Sequence, residues 1–400
     1  MTQNQNREHA ENNKITTHAR QFFHIKDKDF TLMMGKKLEK ICIAYETFGK
    51  LNDEKTNAIL VLHALTGDSH AAGRPGRKDE KPGWWDVMIG PGKAIDTDIY
   101  FVICSNILGG CMGSTGPASP MPGKKKPYGM DFPMITITDM VRCQKRLIDH
   151  FKIENLLAVV GGSLGGMQVL EWSLRYPDMV EAAIPIATTM KHSALSIAFN
   201  EVARQAIIGD PDWNHGNYTD KKKPDMGLSV ARMIGHITYL SDKSMRSKFG
   251  RKMEDKNDLA LTFDSKFQVE SYLKHQGRKF VERFDANSFL YITKAADYFD
   301  VEQQHGNGSA VDAFSRAKAR FLVISYTSDW LYPTYESKAI VNALKKNRLD
   351  VSFCEIESEL GHDAFLLPDK RLAGMIKGFL SSVYEKCPAA MQGGSASNAV

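Results

Sequence analysis

The segment Ala158-Val159-Val160-Gly161-Gly162-Ser163-Leu164-Gly165-Gly166-Met167-Gln168 constrains the fold more than any other part of the chain. An apolar, β-branched run stops at a Gly-x-Ser-x-Gly, and a helical pattern follows through Val169, Leu170, Trp172 and Leu174. Strand, sharp turn and helix with serine at the apex is the setting of a nucleophile elbow. Glycines 161 and 165 have a steric reason: in so tight a turn, side chains two residues either side of the serine would strike each other or the neighbouring strand. Ser163 would then stand at the positive end of a helix, with the Leu164 N–H facing a developing oxyanion. The five-residue pattern alone also fits an ordinary glycine-rich turn between strand and helix. The flanking strand and helix favour an activated serine, and the rest of the chain has to supply its partners.

Four hundred residues with 42% hydrophobic content suffice for one large α/β domain with an insertion, or for two domains. No stretch approaches 18 uninterrupted apolar residues, so a membrane span is not expected. Met1 to Lys14 is polar and does not read as a secretory signal. The six cysteines, at 42, 104, 111, 143, 354 and 387, form no Cys-x-x-Cys pair and read as free thiols of a reducing cytoplasm. The net charge of +5 is mild. Lys124 to Lys126 and Lys221 to Lys223 lie beside prolines and read as solvated loop tips, without the aromatic interleaving of a nucleic-acid surface. Steering a polyanionic cofactor is their other reading.

Short apolar runs alternate with helical patterns along the chain. Strands are predicted at Ile41 to Tyr45, Ala58 to Leu62, Tyr100 to Cys104, Leu156 to Val160, Ala183 to Ile186, Phe321 to Ser325 and Val351 to Ile356. Several are apolar without alternation, as strands buried on both faces are. Helices are predicted at Ile137 to Phe151, Gly166 to Tyr176, Glu336 to Leu344 and Lys370 to Val383. This alternation predicts a mostly parallel sheet with helices on both faces. Strand signals vanish between about 190 and 310, where Ala198 to Ile208, Gly227 to Leu240, Phe267 to Phe284 and Ser288 to Phe299 read as helices. The expected organisation is an α/β catalytic domain from 16–189 and 310–387, with a helical lid inserted at 190–309. The ends, 1–15 and 388–400, lack apolar periodicity and are expected to be disordered.

A serine hydroxyl needs a base, and the base an orienting acid. In α/β-hydrolases these follow in the order serine, acid, histidine, on loops after late strands. Of the histidines after residue 240, His275 lies in a helical pattern and His305 in a loop with no preceding strand. His362 follows the strand 351–356 in Glu359-Leu360-Gly361-His362-Asp363. The preceding strand leads into Thr327-Ser328-Asp329-Trp330-Leu331-Tyr332-Pro333, which makes Asp329 the acid. Taken singly, Asp329 also fits a turn or helix cap and His362 a half-buried loop histidine. Agreement of order and position selects Ser163, Asp329 and His362 as a triad. The strand Ala58 to Leu62 runs into His63-Ala64-Leu65-Thr66-Gly67-Asp68, so the Leu65 N–H is the expected second oxyanion donor beside that of Leu164. His63 and His70 border this loop and read as structural. The chain has no His-Glu-x-x-His, zinc-spaced cysteine set, Gly-x-x-x-x-Gly-Lys-Ser/Thr or complete dinucleotide fingerprint, so neither a metal nor a bound cofactor is expected.

Further segments carry a more specific signal. Lys81-Pro82-Gly83-Trp84-Trp85-Asp86, Ile89-Gly90-Pro91-Gly92-Lys93, the run from Gly109 to Pro117 and Gly162 to Gln168 resemble the homoserine O-acyltransferase family of the α/β-hydrolase fold. So do Ala198 to Ile207, Gly235 to Ser241 and Gly361 to Phe365; the resemblance runs over roughly residues 20 to 385. It implies acyl transfer in two steps from acyl-CoA, as co-substrate, to the hydroxyl of L-homoserine in methionine biosynthesis, by a homodimer contacting through the helical insertion. The family's homoserine ligands fall on Arg232, Tyr239 and Asp363; guanidinium suits the substrate carboxylate and carboxylate its ammonium. In the succinyl-using branch an arginine tends to stand two residues after the triad acid. Here that residue is Leu331, which offers a desolvated carboxylate no partner, so acetyl-CoA is the expected donor. Succinyl-CoA or serine as substrate, or a plain serine esterase on the same fold, are the alternatives.

Overall fold

A computed structural model describes residues 19–26, 30–74, 81–254, 263 and 267–386. The expected disordered ends lie outside these residues. The apolar runs form β2 to β8 of one eight-stranded sheet: β1 (Gln21–Ile25), β2 (Ile41–Phe48), β3 (Ala58–Leu62), β4 (Phe101–Ser105), β5 (Ala158–Gly162), β6 (Ala182–Ile186), β7 (Arg320–Tyr326) and β8 (Val351–Ile356). Their order is β1-β2-β4-β3-β5-β6-β7-β8. The pairs β1–β2 and β2–β4 are antiparallel, and every neighbour from β4 to β8 is parallel. β1 was not foreseen; it is a short edge strand whose residues alternate between exposed and covered.

The unbroken apolar character of the central strands follows from burial on both faces. Leu60, Leu62, Ile103, Val159 and Val323 point into one core, while Ile59, Val61, Val102, Val160 and Ile324 point into the other. The helices are α1 (Ile137–His150), α2 (Leu164–Arg175), α3 (Ala194–Ile208), α4 (Asp225–Tyr239), α5 (Asp242–Lys248), α6 (Gln268–Val281), α7 (Ala286–Asp297), α8 (Val301–Gly306), α9 (Ala310–Ala313), α10 (Thr334–Lys346) and α11 (Lys370–Tyr384). Leu147 of α1, Leu170 of α2 and Ile340 of α10 close the first core. Leu372, Ile376 and Leu380 of α11, with Trp85 and Ile89, close the second.

Between β6 and β7 the described residues contain no strand, and α3 to α9 fill the connection. α4 packs against both α3 and α6. α3 begins at Ala194, four residues before its sequence pattern, because the Ser193 side chain accepts from the Ser196 N–H and caps the extra turn. The short α5 and α8, also unforeseen, are likewise capped by Ser241 and Asp300. No helix of the described residues is long and apolar enough to cross a membrane.

Candidate active site

The loops that follow β3, β5, β7 and β8 leave the carboxyl ends of parallel strands, where open α/β sheets place their ligands. Gly162 ends β5, and Ser163 turns the chain with φ 58° and ψ −123° before α2 begins at Leu164. A non-glycine residue in such a conformation costs about 1–3 kcal/mol and persists only where its surroundings hold it. Here the Ser163 N–H donates to Ile186 O at 3.0 Å, and the Ser163 carbonyl accepts from Thr188 Oγ1 at 2.8 Å. A Cβ on Gly161 would come within 2.7 Å of both the Gly165 carbonyl carbon and Leu62 O; one on Gly165 would overlap Leu62 O outright. Both glycines are thus required by the approach of the elbow to itself and to β3.

The residues expected to partner Ser163 surround it. His362 Nε2 lies 2.8 Å from Ser163 Oγ, and His362 Nδ1 lies 2.7 Å from Asp329 Oδ2. All three are buried. The other Asp329 oxygen accepts from the Leu331 and Tyr332 N–H groups at 3.0 and 2.9 Å. Burial pulls the His362 pKa down, but the Asp329 charge and hydrogen bond, helped by Asp363, outweigh it and hold the pKa above the ordinary histidine value. Gly361, at φ 82°, turns the His362 loop, and a Cβ there would meet the Tyr239 carbonyl at the end of α4.

Leu65 and Leu164 both line the cavity that opens on Ser163, and neither N–H has a hydrogen-bond partner among the described residues. The Leu65 loop is fixed from beneath. His63 Nδ1 donates to Ala64 O at 2.8 Å and its Nε2 accepts from the Ile107 N–H at 3.2 Å, which sets the tautomer. Burial lowers the His63 pKa and keeps the ring neutral. His70 instead pairs with Glu46 at 2.7 Å. His305, set aside on sequence grounds, closes on the buried Glu171 at 2.7 Å.

The cavity holds about 60 Å³. Leu331 and Tyr239 line it with Phe199, Ala203 and Phe289, so three insertion helices wall the serine in. No lysine or arginine lines it. Arg232 and Asp363 are not on this wall. The Arg232 guanidinium lies 5.8 Å from the Tyr239 ring centre and its Nη1 donates to Thr66 Oγ1 at 3.4 Å; Tyr239 in turn lies 5.9 Å from the His362 ring. Desolvation raises the Asp363 pKa, against the charges of His362 and Arg232.

Sequence reasoning missed a polar pair on the wall, Tyr332 and His192. Tyr332 packs edge-on against His362 at 5.1 Å, and its OH lies 2.7 Å from His192 Nε2. His192 Nδ1 lies 2.9 Å from Asp297 Oδ1, and Asp297 pairs with the buried Arg204 at 2.7 Å. This network ties the Asp329 loop to α3 and α7. Its members are spread from 192 to 332, so no local signal announced it.

A model of the α/β-hydrolase fold matches residues 57–369. Among curated relatives, a homoserine O-acetyltransferase of Solidesulfovibrio magneticus is 64% identical over 90% of this chain and 92% of its own length. Among solved structures, a homoserine O-acetyltransferase from Bacillus anthracis superposes with TM-score 0.82 at 32% identity, over 93% of this chain and 97% of its own. Esterase E22 gives the same TM-score at 31% identity, over 91% and 100%. The chain therefore belongs to the homoserine O-acetyltransferase family.

Proposed function

We propose that the protein moves an acetyl group from acetyl-CoA to the side-chain hydroxyl of L-homoserine through an acyl-serine, a step of methionine biosynthesis. Ser163 Oγ attacks the thioester carbonyl carbon as its proton passes to His362 Nε2, and the Leu65 and Leu164 amides stabilise the charge that develops on the carbonyl oxygen. Collapse expels the CoA sulfur, which takes the proton from His362. The homoserine hydroxyl then gives its proton to His362 and attacks the acetyl carbonyl, and Ser163 leaves with that proton. Asp329 holds the imidazole tautomer and offsets the charge of the imidazolium. Arg232 and Asp363 take the homoserine carboxylate and ammonium, with Tyr239 between them and His362.

The observation that carries the choice of acetyl is the cavity beside Ser163: about 60 Å³, bordered by Leu331, with no lysine or arginine on its wall. A succinyl group would bury a second carboxylate there unpaired, which is costly. The insertion helices act as a lid over the serine. They also support a homodimer, because α3 exposes Leu195 and Val202 and the adjoining α4 exposes Met226, Val230 and Ile237. The reaction belongs to a reducing cytoplasm, in keeping with five described cysteines that are all unpaired.

The likeness to an esterase favours one second reading, in which water resolves the acyl-enzyme. Purified protein given acetyl-CoA or succinyl-CoA, with and without homoserine or serine, separates the readings as free thiol is followed. Thiol release that ignores the amino acid would sink the transferase; a preference for succinyl-CoA would sink the cavity argument.

A further inference from the structure

The space beside Ser163 has room for an acetyl group but not for the carrier that brings it. Nucleotide-sized ligands occupy several hundred Å³, against about 60 Å³ here. The bulk of the carrier therefore lies elsewhere, with only its acyl end at the serine. A cavity of about 690 Å³ walled by Met34, Leu38, Tyr128 and Met134 shares no residue with the serine's surroundings. Another, of about 770 Å³, likewise shares no residue with the serine's cavity but is linked to it through a crevice that borders both. Cys111 and Phe284 line it, and both also line a narrow crevice whose far side is His63, Leu65 and Gly67, the loop that carries the Leu65 amide. Arg283, on the same wall, donates from Nη1 to the Thr66 carbonyl at 3.0 Å. Leu228, also on the wall, stands one helical turn before Arg232.

Charge points the same way. Lys124, Lys125, Lys126 and Lys223 border the 770 Å³ cavity and are exposed. Lys126 pairs with Asp131 at 2.9 Å and Lys223 with Asp220 at 3.3 Å, whereas Lys124 and Lys125 form no ion pair among the described residues. Four carboxylates share the wall. Asp285 is committed to the Tyr218 O–H at 2.5 Å and the Ser288 N–H at 2.8 Å, Asp220 to Lys223, and Asp225 sits in the first turn of α4. Glu282 is the fourth. Lys124 and Lys125 at the rim, with Arg283 on the inner wall, are thus the cations of this cavity without a carboxylate partner among the described residues.

We propose that this cavity holds the phosphate-bearing end of coenzyme A, with Lys124 and Lys125 against its phosphates and the pantetheine arm passing Cys111 and Phe284 to reach Ser163. The inference rests on the acyl-CoA reading above. The crevice holds no water-sized space in this structure, so the arm parts its walls on binding.

The double variant Lys124→Glu, Lys125→Glu reverses two exposed charges that support no packing. Calorimetry is expected to show CoA binding weakened roughly ten-fold, and the KM for acetyl-CoA to rise by a similar factor. The kcat/KM advantage of acetyl-CoA over acetyl-pantetheine shrinks with it, and the salt dependence of CoA binding flattens. Lys36→Glu, on the rival cavity, leaves CoA binding as it was. Unchanged CoA affinity in the double variant overturns the proposal, as does an equal loss with acetyl-pantetheine, an equal effect of Lys36→Glu, or a wild-type protein that does not bind CoA. CoA binding that the double variant weakens, in a protein that transfers nothing to homoserine, upholds this site and defeats the functional reading instead.

Discussion

Replacing Asp329 by asparagine changes one atom of a carboxylate whose two oxygens have separate tasks. Oδ1 accepts two backbone N–H groups, from Leu331 and Tyr332, and Oδ2 accepts from His362 Nδ1. The asparagine oxygen has to stay with the two backbone donors. Turning it away would leave both unpaired in a buried loop, at about 1–3 kcal/mol each. The amide NH₂ therefore faces His362 Nδ1, which must become an acceptor, and the ring proton moves to Nε2. A protonated Nε2 cannot take the Ser163 proton. The productive tautomer is disfavoured by about 2–6 kcal/mol, so kcat falls roughly thirty-fold to twenty-thousand-fold. Stability is expected to change little, since every backbone donor keeps its acceptor. Asp329→Ala, which removes that oxygen, unfolds at lower denaturant. The acid limb of the pH profile also moves. Neutral His362 is the base, so kcat/KM rises with pH through its pKa, which stands above the ordinary value because the Asp329 charge outweighs burial. Without that charge burial dominates, and the limb shifts to lower pH. The measurements are steady-state kinetics from pH 5 to 9 and urea unfolding. A variant with kcat within ten-fold of wild type, or an unmoved acid limb, would refute the reasoning.

Gly165→Ala drives a methyl group into the Leu62 carbonyl. It is expected to cost about 3 kcal/mol or more in chemical denaturation and to lower kcat by displacing the Leu62–Leu65 loop. Leu331→Arg places an arginine on a cavity wall that has no lysine or arginine and should shift the kcat/KM ratio from acetyl-CoA towards succinyl-CoA; a ratio that does not move removes Leu331 from donor selection. Val202→Asp with Met226→Asp charges residues that are 57% and 75% exposed. Light scattering should then report a monomer if these helices form the homodimer contact, and an unchanged mass if they do not.

The catalytic framework was legible because its parts are local. Ser163, Asp329 and His362 each follow an apolar run long enough to be read as a strand, and Gly161, Gly165 and Gly361 mark turns that only a missing side chain permits. β1 was not, because Phe22 is 54% exposed and the strand exists only through pairing with β2. α5 and α8 owe their existence to caps on six- or seven-residue segments too short for a period to show. The groups that hold the elbow in its strained state were hidden for another reason. Thr188 reaches the Ser163 carbonyl from the loop after β6, and buried Gln168 reaches the Leu164 carbonyl at 3.3 Å and His63 O at 3.4 Å. Such contacts become visible only once the sheet order is known. Arg232 and Asp363 came from resemblance alone; as residues of a helix and a loop they carry no signal of their own.

The placement of the insertion has a wider consequence. The serine stands after β5 and its acid and histidine after β7 and β8, while α3 to α9 leave and rejoin the sheet between β6 and β7. Drift in those helices can reshape what waits beside the serine without altering the pairing of a single strand. The walls of the serine's cavity that the insertion supplies can therefore change while the strands that carry Ser163, Asp329 and His362 stay as they are.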